Sequence, residues 1–585
     1  MTPNNYKYDL VLLHAPAVYD FRETSIMFGP ISDVVPSSSI FEMYPIGFGS
    51  IARHLKDKGM RVRILNLAVK MLLDPKFDVE KFLSKIKSRV FGIDLHWLCH
   101  AHGSIEVAKL VKRIHPDSKV VFGGISATYY HKELMVSYPF IDYCFRGDST
   151  EPLIEQLITT LKNGGNLDQI PNLCWRDKQG KIIYNTFNYI PDTLKNIQID
   201  YKNIFFSALR DLDLSGYLPF ASWVDYPVTA IVLSRGCNYN CNVCGGSNDF
   251  YKEHCGRQKA AYRTPENIGE EIKNLTRFIK GPLLLIGDPF LNDKEYSYAL
   301  LEEFKRLKIS NQIIFEVSLP PTKEELIHIS EAVPRFNILL SPESHDEHVR
   351  KLFGRRFTNK EMEDMIEAAI ELGVGRVDLF FMIGLPEQTK ESVMGTVEYC
   401  DYLLQKFAES KKLSVYISPL SPFLDPGSRV FENPEEHGYK LFYRTLEEHR
   451  QALLQPSWKY ILNYETKWLS RDDIVESSYR AALGLNKIKL KHGLLTPKQA
   501  KKQEEKILEA RAFSTEIDKV MAIKDETEKN NRLQGMKRHM DKYSRSTTCN
   551  MKDLEWSIMV FNIRAPKFLR TIFFYIWSGL SKVFG

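Results

Sequence analysis

Apolar residues gather in short β-branched and leucine-rich runs separated by longer stretches with helical spacing, and this alternation occurs twice along the chain. In the first series the strand-like runs are 8–14, 61–67, 90–95, 119–122 and 141–145. Between them, 46–58 and 103–114 carry apolar residues at helical spacing. The first of these ends at Gly59 and the second at His115-Pro116, and a further helix opens at Glu151. Glycine and proline at those points are helix stop signals. Strands alternating with helices of this length predict a doubly wound α/β domain with a parallel sheet over 1–165. In such sheets ligands sit beyond the carboxyl ends of the strands. Residues 166–227 show no sustained period and are expected to connect two domains. The second series fills 228–430, with strand-like runs at 230–233, 283–286, 313–317, 337–340, 376–382 and 414–417. Helical runs at 266–279, 294–307, 323–332, 360–372 and 390–407 lie between them. Six such units predict a partial (β/α) barrel with its chemistry at the carboxyl face.

Residues 431–585 are expected to be mainly helical. Their last segment, 564–585, is rich in apolar and aromatic residues, with Arg564, Lys567, Arg570 and Lys582 around them. Its longest uncharged stretch, 571–581, is too short to span a bilayer. It suits either a helix lying in a membrane interface or one docked on the C-terminal region. The net charge of +6 is small for 585 residues and makes no case for nucleic acid. The N-terminus lacks the pattern of a secretory signal. The nine cysteines are odd in number, and three of them crowd together. That usage fits a reducing cytoplasm, with peripheral contact at the inner face of the membrane as the role for the tail.

The three are Cys237, Cys241 and Cys244, in LSRGCNYNCNVCGGS just after a predicted strand. One short loop with C-x3-C-x2-C spacing can bring three thiolates to three irons of a cubane cluster and leave the fourth iron open. The alternative is zinc, with His254 or Cys255 as a fourth ligand, although zinc sites usually show two separated ligand pairs. The loop resembles that of the radical SAM superfamily, which implies an oxygen-sensitive [4Fe–4S] cluster that cleaves S-adenosylmethionine (SAM) to a 5′-deoxyadenosyl radical. Val243 departs from the aromatic residue that many members carry before the third cysteine. Three further segments resemble family motifs: LLIGD with Gly287 and Asp288, SPESHDEHVRKLFGRRFT with Glu343 and Ser344, and FFMIGLPEQT with Ile383 and Gly384. The resemblance implies that these residues hold SAM.

The first domain resembles the Rossmann-like cobalamin (B12) domain of the B12-dependent branch of that superfamily. The matching features are HAPA with Pro16, the turn Gly123-Gly124-Ile125-Ser126, and RGDSTEP with Gly147 and Asp148. Pro16, Gly123, Gly124, Ser126, Gly147 and Asp148 are thereby implied to line the cobalamin site. No G-x-G-x-x-G follows the first strand, which weakens a dinucleotide reading. Asp94-Leu95-His96 follows the third strand, so His96 is a candidate for the lower face of cobalt. His100 and His102 are expected at the surface or on the substrate side.

These features imply a cobalamin-dependent radical SAM enzyme, most typically a methyltransferase acting on an unactivated carbon of a small-molecule or lipid substrate. An electron donor such as flavodoxin or ferredoxin is implied as partner, and no nucleic acid. Carbon–carbon bond formation or ring closure on a lipid-like substrate stays open, as does a non-catalytic cobalamin or iron–sulfur sensor.

Overall fold

A computed structural model describes residues 6–24, 38, 40–194, 197–420, 422–540 and 554–556; the tail 564–585 lies outside them. The first sheet has seven strands: β1 (Tyr8–His14), β2 (Val62–Asn66), β3 (Ser88–Asp94), β4 (Lys119–Gly123), β5 (Tyr143–Phe145), β6 (Leu173–Arg176) and β7 (Ile182–Tyr184). Their order is β2-β1-β3-β4-β5-β6-β7. The first five are parallel, and β6 and β7 extend the sheet antiparallel. Every residue of β1 is buried. Leu10 and Leu12 face one helical layer while Val11 and Leu13 face the other, so its middle, Leu10–Leu13, is continuously apolar. The segment expected to be a plain connection thus contributes two strands to this sheet, and a helix, Tyr201–Arg210. Strands of three and four residues are too short to leave a readable period.

The second sheet has six parallel strands in the order β15-β14-β13-β12-β11-β8. They are β8 (Thr229–Val232), β11 (Leu283–Ile286), β12 (Ile313–Val317), β13 (Phe336–Glu343), β14 (Val377–Ile383) and β15 (Leu413–Pro419). A short antiparallel pair, β9 (Ser234–Arg235) and β10 (Ala261–Tyr262), stands at the carboxyl end of β8. The barrel is partial, as expected. Leu283 and Leu285 pack outward on helices, whereas Leu284, Ile314, Leu339, Phe380 and Tyr416 pack inward. The inner cluster is completed by Leu554 and Trp556 from far along the chain. The Trp556 indole N–H donates to Asp378 at 2.8 Å, and Arg376 donates to the Leu554 and Glu555 carbonyls.

Among the described residues the C-terminal region is mainly helical, with one hairpin, β16 (Tyr439–Leu441) and β17 (Tyr464–Thr466). It also reaches back to the first domain. Leu446, Leu453 and Ile461 join its core, and Arg450 pairs with Glu106 at 2.9 Å. Among the described residues no helix is long and apolar enough to cross a membrane.

Candidate active site

The cysteine loop leaves the barrel at β9 and is braced from outside by the helix Glu347–Phe353. Asn242 donates its backbone N–H to the Phe353 carbonyl at 2.8 Å and its side-chain amide to that of Leu352 at 2.7 Å. Gly354, at φ +118°, permits this approach; a Cβ there would lie 2.7 Å from the Asn240 oxygen. Cys241 is buried, Cys237 and Cys244 are half-buried, and all three thiols are free. Backbone N–H groups of Tyr239 and Gly246 donate to the sulfurs of Cys237 and Cys244, each at 3.3 Å. Burial pushes all three thiols up, Cys241 to about 11, so they hold protons until a metal displaces them. Thiolates on one zinc ion would stand roughly 3.8 Å apart, from a Zn–S bond of about 2.3 Å. Among the described residues, the only His, Cys or acidic trio gathered within 4.8 Å lies elsewhere, on His14, His96 and His100. The wider spread of the cysteines suits a cubane cluster.

The barrel residues expected to hold SAM lie at strand ends but differ in what they leave open. Glu343 ends β13, where pairing with β14 slips register, and its φ is +67°. Such strain in a non-glycine residue is typical of functional sites. Its Oε1 lies 3.5 Å from Arg355, and its buried Oε2 has no partner among the described residues. Burial pushes its carboxyl up to about 7 against the pull of Arg355. An unpartnered buried acceptor fits a ligand that brings donors. Asp288 differs, because its oxygens accept from the backbone N–H groups of Phe290 (2.9 Å) and Ser318 (2.7 Å). Burial raises it to about 6. Ser344 turns its hydroxyl to the Asp346 N–H. Gly287, at φ +102°, lines the cavity described below. The Ile383 carbonyl accepts from Leu420, while Gly384 donates to Gln388 and accepts from Tyr439. The Gly384 peptide groups are therefore committed within the protein.

A cavity of about 390 Å³ separates the carboxyl ends of the first sheet from the start of the barrel. Gly123, Gly124, Gly147, Asp148 and His96 line one side, and Ser234, Arg235, Gly236 and Gly287 the other. Three helices begin at it without a side-chain cap, at Ile46, Gly124 and Thr150. Helix starts without a side-chain cap suit the amides and phosphate of a corrinoid. Gly124, at φ +116°, is pressed against His96, whose backbone N and Cα would lie 2.6 Å from a Cβ. Two of the expected residues stand apart from the cavity lining. Pro16 packs its carbonyl onto Gly103, and Ser126 is buried in the turn of a short helix. Asp148 is held by Arg257 through two hydrogen bonds, of 2.5 and 2.8 Å. His100 and His102 are buried rather than at the surface, in the 3₁₀ turn and the helix that follow β3.

Sequence reasoning passed over Glu151 and Arg235, although both stand inside motifs it singled out, RGDSTEP and LSRGC. They pair across the domain boundary at 2.5 Å, and Ser50 donates to Glu151 at 2.6 Å. Burial would raise the Glu151 carboxyl, but Arg235 and Ser50 outweigh it and hold the group at about 2. Arg355 was likewise missed; it spans Glu343, the Ser318 carbonyl and the Tyr239 ring.

A family model described as the radical SAM superfamily matches residues 231–400, and one described as a B12 binding domain matches 33–156. The chain is 23% identical over 359 residues to the "Uncharacterized methyltransferase PH0819" of Pyrococcus horikoshii, covering 61% of this chain and 71% of that protein. It is 24% identical to the anaerobic magnesium-protoporphyrin IX monomethyl ester cyclase of Synechocystis, covering 53% and 59%. It is 22% identical to the hopanoid C-3 methylase of Methylococcus capsulatus, covering 59% and 62%. The chain thus spans less than two thirds of the length of the last two. Among solved structures, the cobalamin-dependent SAM radical enzyme OxsB, with aqua-cobalamin and SAM bound, aligns with a TM-score of 0.55 at 12% identity, over 98% of this chain and 81% of that one. The methyltransferase TsrM of Kitasatospora setae, with cobalamin and a [4Fe–4S] cluster bound, aligns at 0.51 and 15% identity, over 74% and 81%. With the cysteine loop, the glycine-lined cavity and both family matches in one chain, this protein carries a radical SAM domain together with a B12-binding domain, and its cofactors are a [4Fe–4S] cluster, SAM and cobalamin.

Proposed function

We propose that the protein functionalises an unactivated carbon of a small-molecule or lipid substrate by methyl transfer from methylcobalamin. The observation that carries this reading is the shared cavity. Arg235 and Gly236, which lead directly into Cys237, line the same space as the glycine turns of the first domain. A radical generator and a methyl donor must reach one carbon, and a space open to both faces meets that requirement. When bound, SAM on the reduced cluster supplies the 5′-deoxyadenosyl radical and methylcobalamin supplies the methyl group.

The chain's own part is binding and orientation. Cys237, Cys241 and Cys244 hold three irons and leave one open. The unpartnered oxygen of Glu343 accepts donors from SAM, and Gly287 lets its backbone come close. Asp288, Ser344, Ile383 and Gly384 keep the strand ends in place. Gly123, Gly124 and Gly147 make room for the corrin ring. An outside one-electron donor such as flavodoxin or ferredoxin would supply the electron that the cluster needs. Residues 564–585 offer peripheral contact with a membrane surface, which suits a lipid substrate.

A second outcome of the same radical chemistry, ring closure, is supported by the likeness to the Synechocystis cyclase. The test is anaerobic reconstitution with iron, sulfide, cobalamin, SAM and a reductant. Repeated formation of 5′-deoxyadenosine is expected, with a product about 14 Da heavier in treated extracts, the mass of one added CH₂ unit. A product lighter by two hydrogens would favour ring closure. No 5′-deoxyadenosine beyond one turnover would overturn the enzymatic reading.

A further inference from the structure

Beneath the cavity, at the carboxyl ends of β1 and β3, three imidazoles surround one buried carboxylate. His14 ends β1 and Asp94 ends β3. His14 Nδ1 lies 3.0 Å from Asp94 Oδ1, and His96 Nδ1 lies 2.6 Å from Asp94 Oδ2. The ring centres of His14 and His100 are 4.7 Å apart, and those of His96 and His100 4.9 Å. One ligand atom from each of the three histidines falls within 4.8 Å of the others.

Two features point to a ligand at their centre. His14 gives its outer nitrogen to the Phe41 carbonyl at 3.1 Å, and the His100 ring bonds the Ala15 carbonyl. Metal-binding histidines are held in this way, with one nitrogen fixed by a carbonyl and the other turned inward. In addition, His100 is 1% exposed and its Nδ1 has no partner among the described residues. A buried nitrogen left without a bond is unfavourable unless something else meets it.

The geometry points to a mononuclear site for a borderline divalent transition ion of the zinc type, held by His14, His96 and His100, with Asp94 orienting the imidazoles beside it. Three imidazoles with one position left for solvent are a donor set that such ions take in tetrahedral geometry. The ion would pin the ends of β1 and β3 and the segment at Phe41 together, and so fix the floor of the cavity. This inference rests on the first domain alone and needs neither the cluster nor the proposed reaction.

The test uses the full chain with Cys237, Cys241 and Cys244 replaced by Ser, so that the loop cannot take up metal. Zn²⁺ alone is titrated against a chromophoric chelator. One zinc per chain is expected, bound at least 100-fold more weakly in His100→Ala and His96→Ala. His96, at the cavity edge, is the position least needed for folding, and far-UV dichroism of each variant in chelator checks the fold. Absence of stoichiometric zinc in the parent would overturn the inference, as would equal affinity in folded variants. It would also be overturned if cob(II)alamin on ¹⁵N-histidine-labelled protein showed a nitrogen splitting lost in His96→Ala. In that case the cluster serves the cobalt of the corrinoid instead.

Discussion

The two faces of the cavity are built on opposite plans. On the side of the first sheet the charged side chains are committed to partners across the boundary: Asp148 to Arg257 and Glu151 to Arg235. What this face offers a ligand is shape, through glycine turns and uncapped helix ends. In the barrel behind the other face the reactive groups are left open, as three free thiols and a buried carboxylate oxygen without a partner among the described residues. The difference follows from the ligands. A large, mostly neutral ring is recognised by a surface that fits it, whereas iron and a zwitterion need donor atoms. The committed pairs of the first face also bridge the domains, so recognition by shape there and the position of the barrel are set by the same residues.

The contrast can be broken from either side. The largest effect is expected from Cys241→Ala, which removes one of three iron ligands. Iron and sulfide content should fall and 5′-deoxyadenosine formation should cease, while corrinoid binding persists. Gly124→Ala is the converse. Its Cβ would meet the backbone of His96 and Leu95 at 2.6–2.7 Å, in a backbone region that non-glycine residues rarely adopt. Backbone cannot swing aside, so retained corrinoid after gel filtration should drop while cluster content stays.

Glu151→Gln is expected next. It strands a buried Arg235, and loss of one partner of a buried pair destabilises by roughly 3–5 kcal/mol. The Glu151 carboxyl is held at about 2 in the fold against an ordinary 4.5. A lowered carboxylate stabilises above its ordinary value, and that contribution is lost as pH falls toward about 2. The gap in urea midpoint between wild type and variant should therefore shrink from pH 6 to pH 3. The smallest effect belongs to Glu343→Gln. Its SAM affinity should fall about tenfold, near 1.4 kcal/mol, measured by equilibrium binding to the reconstituted protein. In the ligand-free chain the sign of the pH effect is reversed. Glu343 is raised to about 7, so its protonated form suits the fold, and stability is lost as pH rises from 4.5 through 7. The Gln variant should lack that slope.

Much of this was legible in the chain itself. The runs 283–286 and 313–317 and the helical stretches 294–307 and 323–332 coincide with the observed elements. A strand buried on both faces or a helix with one buried stripe writes its period directly into the residues. The three cysteines were legible because their ligation depends on spacing within one loop. Strands β6 and β7, the hairpin of β16 and β17, and the inward Trp556 were not, since a short strand or a single tryptophan has no period of its own and is defined by its neighbours. The same holds inside the site. Glu343 and Asp288 look alike as acidic residues after a strand. Only the fold decides that Asp288 is occupied by one backbone N–H of its own turn and one just past the next strand, while one oxygen of Glu343 has no partner among the described residues. His14, Asp94, His96 and His100 come from two strand ends separated by a whole β/α unit, and what brings them within hydrogen-bond reach is the pairing of β1 with β3. Local pattern therefore determined the elements and the cysteine loop, whereas the pairing of distant strands decided which polar groups are satisfied and which remain open to a ligand.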